Sequence, residues 1–194
     1  MSSASKSRLS PQEYLAQERL ASFRSEYLRG EVFAMAGASY EHTLIKDNLA
    51  GEARNQLKNG PCHVLTSDMR VKVDATGLYT YPDVAVVCDE PQFEDAAVDT
   101  LLNPRAIVAV LSDSTEKYDR GAKFGHYRQL ASLQEYVLVA QDRPLVERYV
   151  RQPDGSWLLM AFEGMSQVFA FTSVPVHIPL AEIYSGVTFP DPNH

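Results

Sequence analysis

Long apolar runs are missing from this 194-residue chain, and no stretch approaches the roughly 18 residues a membrane-spanning helix requires. The opening residues, MSSASKSRLS, lack the apolar core of a secretory leader, so a cytoplasmic location is the expectation. Cysteine is scarce. Cys62 and Cys88 stand far apart and outside any CxxC spacing, which predicts no disulfide framework and no zinc site. Both are expected to be partly buried, reduced thiols. Positive charge is also in deficit: 18 Lys and Arg face 25 Asp and Glu, a net charge of -7. Nucleic-acid binders usually show a basic face. Any such function here needs a local basic rim, for which Lys72, Arg120, Lys123, Arg128, Arg143, Arg148 and Arg151 are the candidates. Internal repeats are absent too, and only the serine-rich start is of low complexity.

What is present is an ordinary globular composition, 45% hydrophobic and 22% charged. The length suits one domain, expected over residues 10–185, with a loose tail at 1–9 and another at 186–194. Ser10-Pro11-Gln12-Glu13 is a capping box and predicts a helix from Pro11 to about Leu20. Gly30 reads as a turn and Glu31 to Ala36 as a strand with Val32, Phe33 and Met35 partly buried. Ser39 caps the longest helix, in which His42, Ile45, Leu49, Ala53 and Leu57 recur at helical spacing until Gly60-Pro61 stops it. Strands are expected at His63 to Ser67 and Met69 to Val73. The acidic stretch Asp89 to Asp99 has no ligand spacing and reads as a solvated connection. Pro153-Asp154-Gly155 reads as a hairpin turn between two strands, and a further strand pair precedes a short helix from Pro179 to about Tyr184. This order describes an α/β or α+β fold, a mixed sheet flanked by helices with a strand-rich C-terminal half.

The chemistry is concentrated between Tyr81 and Arg128. Asp83 heads the apolar run Val84 to Val87. Ala106 to Leu111 is apolar throughout and predicts a strand buried on both faces, followed by the polar turn Ser112 to Thr115. A helix then opens with Asp119 as its natural N-cap and carries Lys123. An acid, a central strand and a helical lysine that converge suit metal-assisted attack on a phosphodiester, the acid holding Mg²⁺ and the lysine handling water or charge. A second carboxylate is expected on the central strand. That place holds Ala109.

YPDVAVV, AIVAVLSDST, EKYDRGAKFGHYR and EYVLVAQDRPLVERYVRQPDGSW strongly resemble the Uma-two family of restriction endonuclease-like proteins, within the PD-(D/E)XK nuclease superfamily. SEYLRGEVFAMAG and EHTLIKDNL resemble its N-terminal half, so the likeness covers about residues 10 to 185. It implies a central mixed sheet with an Mg²⁺-dependent DNA endonuclease site, Mn²⁺ serving as a substitute. By this resemblance Asp83 and Lys123 are the catalytic pair, Asp83 is a metal ligand, and the backbone carbonyl of Val110 is another. Glu31 matches an acidic position and His42 a recurring histidine. Where the family pattern reads V-E-V-L-S, this chain reads Val108-Ala109-Val110-Leu111-Ser112. A methyl group cannot bind a hard cation that needs oxygen ligands. Glu31, Asp68 and Asp113 are the acids available to compensate. The alternative is a nuclease fold that has become a nucleic-acid or protein binding module. A homodimer through the many C-terminal strands is also expected, because open sheet edges need covering.

Overall fold

Ser10 accepts the Glu13 N–H while Glu13 reaches back to the Ser10 N–H, and this closed capping box starts helix α1 (Pro11–Glu18). The structure, a computed structural model, describes residues 8–190. Of the expected tails, residues 1–7 and 191–194 lie outside the described residues. Inside them, the Tyr27 hydroxyl donates to the Leu9 carbonyl at 2.9 Å, and Val187 and Phe189 pack against the core.

Strands β1 (Ser25–Leu28) and β2 (Glu31–Ala34) form a hairpin through Arg29 and Gly30, both with positive φ, 49° and 96°. Two consecutive left-handed residues give the turn whose twist matches the strands it joins. Gly30 is fixed twice over, because a Cβ there would lie 2.6 Å from the Cβ of Arg8. Strand β2 is exposed along its whole length, so of the three residues expected to be partly buried only Met35, just past its end, is so, and Val32 and Phe33 are exposed. The reason is topological: β2 is the outer strand of its sheet.

Ser39 caps α2 (Tyr40–Leu57), which buries Ile45, Leu49, Ala50, Ala53 and Leu57 along one stripe. Next come β3 (Cys62–Thr66), β4 (Arg70–Val73), β5 (Leu78–Thr80), β6 (Val84–Cys88), β7 (Thr100–Leu101) and β8 (Ala106–Val110). A helical passage then runs as α3 (Glu116–Tyr118), a π-helical turn (Asp119–Lys123) and α4 (Phe124–Tyr127). It is followed by β9 (Glu135–Val139), β10 (Leu145–Arg151), β11 (Trp157–Glu163), β12 (Val168–Ala170), β13 (His177–Pro179) and α5 (Leu180–Ile183).

The fold is mixed α+β. One sheet has the order β11-β10-β9-β8-β6-β3, a second has the order β2-β1-β5-β4-β7, and β12 and β13 pair alone. Within the six-stranded sheet β8 and β9 are parallel, joined by the passage that carries Asp119 and Lys123. Strand β8 is buried at every position. Ala106, Val108 and Val110 enter the core under α2, while Ile107, Ala109 and Leu111 enter the opposite core with Tyr127 and Tyr136.

Three expectations are corrected by tertiary placement. Cys62 and Cys88 are opposite each other in the β3–β6 ladder and form a disulfide, so neither is a free thiol. Their distance in sequence concealed an adjacency that strand register creates. The acidic stretch is not a simply solvated connection, because Asp95 and Asp99 both hold Arg19 and Glu94 holds Lys72. Asp119 is no helix cap. The helical passage begins at Glu116, and Asp119 lies buried inside it.

Candidate functional site

Asp83 is placed by strand register. Val84 pairs with Val108 across the antiparallel β6–β8 ladder, and one step further sets Asp83 opposite Ala109. The Val110 N–H donates to Asp83 Oδ2 at 2.8 Å, fixing the carboxylate to the central strand. His42 Nε2 lies 2.8 Å from Asp83 Oδ1. That histidine stands in the first turn of α2, where Ser39 accepts its backbone N–H. Both oxygens of Asp83 are thus engaged by the protein.

Lys123 enters from the π-helical turn. Its Nζ lies 2.9 Å from Glu26 Oε1 and 3.5 Å from Asp119 Oδ1, and 5.6 Å from the centre of the Tyr118 ring. Burial opposes the charge on this amine, but Tyr127, Glu26 and Asp119 outweigh it and push its pKa up. The group is therefore a fixed ammonium at neutral pH, suited to stabilising negative charge and unsuited to accepting a proton from water. Asp119 shifts in the acid-weakening direction: burial dominates, and the charge of Asp83 adds to it against the pull of Lys123. Tyr118, which donates to Glu26 Oε2, is raised to about 12, chiefly by burial.

One cleft of about 1390 Å³ is lined by Asp83, Lys123, Ala109, Val110, His42 and Asp68 together. Asp68 points largely into solvent and pairs with Arg24. Glu31 and Asp113 do not line this cleft. Glu31 sits exposed at the hairpin end of β2, and Asp113 borders a separate shallow hollow with Arg120. Glu26, not Glu31, is the acid that reaches Lys123. Its signal in the sequence was an acid between Ser25 and Tyr27 on a strand facing β2, but only the β1–β5 pairing turns it inward. The expected basic rim is not assembled either. Arg120 pairs with Glu116 and Glu147, Lys72 with Asp74 and Glu94, and Arg148 is buried beside Glu135. Of the seven cations expected at the rim, Lys123 alone lines the cleft.

These donors do not complete an Mg²⁺ site. That ion demands several oxygens in near-octahedral array. Asp83 is a single carboxylate already holding two donors, and the position opposite it offers the methyl of Ala109. Among the described residues no three His, Cys, Asp or Glu side chains are grouped as a metal cage.

Sequence comparison assigns the chain to a family. The Uma2 family, described as "Putative restriction endonuclease", matches residues 11–179, and the chain is a member of that family. Two proteins of Synechocystis sp. are 35% identical to it. "Uncharacterized protein slr1290" aligns over 182 residues, 94% of each chain, and "Uncharacterized protein sll1609" over 168, 87% of this chain and 95% of that one. A crystal structure titled as a putative nuclease belonging to DUF820, from Anabaena variabilis, superposes with a TM-score of 0.74 at 17% identity. It covers 93% of this chain and 99% of its own. At that identity the superposition establishes the shared fold.

Proposed function

We propose that this chain holds a nucleic-acid strand in the Asp83–Lys123 cleft and has lost most of the family's phosphodiester-cleaving capacity. The observation that carries this reading is the Ala109 methyl, standing opposite Asp83 on the wall of the cleft that also holds the Lys123 ammonium. Asp83 and the Val110 carbonyl are the atoms left to approach Mg²⁺ or Mn²⁺, and one missing electrostatic group typically costs about 10²–10³ in rate. Lys123, fixed between Glu26 and Asp119, retains the charge to meet a phosphate.

The test is a cleavage and binding assay on single- and double-stranded DNA with Mg²⁺ or Mn²⁺. The chain should bind DNA and cut it slowly or not at all. Ala109→Glu should raise cutting about 10²-fold or more, and Asp83→Ala in that background should abolish it. Cutting by the unaltered chain at the rate of Ala109→Glu refutes the reading, as does failure of any form to bind. A second reading, a weakly active Mg²⁺-dependent DNA endonuclease, is favoured by the buried Asp119, which lines the same cleft as Asp83. Its sign is cutting by the unaltered chain that Asp119→Asn removes. Self-association is assigned to the open edge of β11, where Leu158, Leu159 and Met160 are exposed, and sizing in solution tests it. Among the described residues no helix is long and apolar enough to cross a membrane.

A further inference from the structure

We propose that the cleft takes a single, unpaired nucleic-acid strand in preference to a duplex, with Phe23 and Phe33 as platforms on which bases stack. The inference rests on the nucleic-acid reading above and narrows it to a substrate class.

The first observation is position. In the β1–β2 ladder Phe33 pairs with Glu26, so both side chains leave the sheet on the same face, roughly 5 Å apart at Cβ. Glu26 in turn holds the Lys123 ammonium. Phe33 therefore adjoins the group that would meet a phosphate. Phe23, in the segment leading into β1, lines the same cleft, as does Tyr118 with its ring against Lys123.

The second is exposure. Phe23 keeps 65% of its surface in solvent and Phe33 49%, on the lip of a cleft rather than scattered over the molecule. Exposed apolar surface gathered at a groove and rimmed by polar groups marks a place where a ligand sits.

The third is charge. Six Asp and Glu against five Lys and Arg line the cleft, leaving it one negative charge. Arg19, Arg24, Arg70 and Lys123 are each already tied to a carboxylate. Duplex binding draws its affinity chiefly from neutralised phosphates and released counterions. This cleft has few free cations to supply that. Stacking on an aromatic ring is independent of charge and contributes ~1–3 kcal/mol per base, but only an unpaired base presents its face.

The test is fluorescence anisotropy with a labelled thymidine oligonucleotide and a duplex of equal length at one salt concentration. The single strand should bind at least about tenfold more tightly. Phe33→Ala and Phe23→Ala should each weaken single-strand binding about 5- to 150-fold, the equivalent of the stacking energy per base, and leave duplex binding unchanged. Lys123→Met should weaken both. Because both phenylalanines are exposed, thermal melting should show the variants folded. Equal affinity for both forms, with the phenylalanine variants binding like the parent, overturns this inference and leaves the nucleic-acid reading standing. Binding of neither form overturns both. A dimer that Phe33→Asp converts to monomer, without change in single-strand affinity, assigns the patch to self-association and overturns the inference.

Discussion

Ala109→Glu should trade stability for metal affinity, and the size of both effects follows from its neighbours. The new carboxylate would stand opposite Asp83, with Asp119 and the Lys123 ammonium on the same cleft. Like charges about 4 Å apart cost about 4 kcal/mol at an effective dielectric of about 20, and the ammonium offsets a comparable amount where it reaches. Position 109 is buried but opens on the cleft, and the added group leaves a net loss of about 1–3 kcal/mol. A chain of this length loses about 2–4 °C per kcal/mol, so its Tm in a chelator should fall by roughly 2–12 °C. Mg²⁺ at ten times its Kd then restores about 1.4 kcal/mol, or roughly 3–6 °C. The parent, with a methyl there, should shift by less than about 1 °C over the same Mg²⁺ range. Scanning calorimetry of both proteins in chelator and in Mg²⁺ reads this directly. A parent that gains as much from Mg²⁺ as the variant, or a variant that gains nothing, refutes the account of Ala109 as the missing ligand position.

Three further outcomes are expected. Glu135 is fully buried and accepts hydrogen bonds from the backbone and hydroxyls of Thr172 and Ser173, so Glu135→Ala should cost about 3–5 kcal/mol in urea unfolding; a loss below 1 kcal/mol contradicts its role as the pin for that turn. The Cys62–Cys88 bond closes a separation of 26 residues, for which the chain-entropy relation gives about 3.5 kcal/mol, and dithiothreitol should lower the Tm accordingly. Arg19 holds Asp99 and Asp95 below the usual carboxylate range, through its hydrogen bonds to both. Depressed carboxylates stabilise the fold fully above the unfolded value near 3.9, and that contribution is lost as pH falls through their folded values. The urea midpoint should therefore drop steeply below about pH 4, and Arg19→Met should flatten the drop. An unchanged slope in the variant would show that other groups set the acid limit.

Much of the fold was legible because local rules and tertiary structure agree over most of the chain. The capping box at Ser10, the α2 stripe from His42 to Leu57 and the doubly buried β8 are all set by short-range pattern, and each formed where the pattern put it. The hairpin at Pro153-Asp154-Gly155 formed as well, with Gly155 at φ 83°. The motif order from Asp83 to Lys123 was likewise local enough to see.

What the sequence by itself determined was the element order, the family pattern and the presence of alanine at position 109. Tertiary structure decided which side chains meet. Strand register, which no local signal records, joined Cys62 to Cys88 and set Phe33 beside Glu26. Helical phase through the π-helical turn buried Asp119 and brought Lys123 to Glu26, a carboxylate far back in the chain that the sequence did not single out. The physical reason is that propensity and burial act along a few residues, whereas charge pairing acts through space and is fixed only once the sheets are assembled.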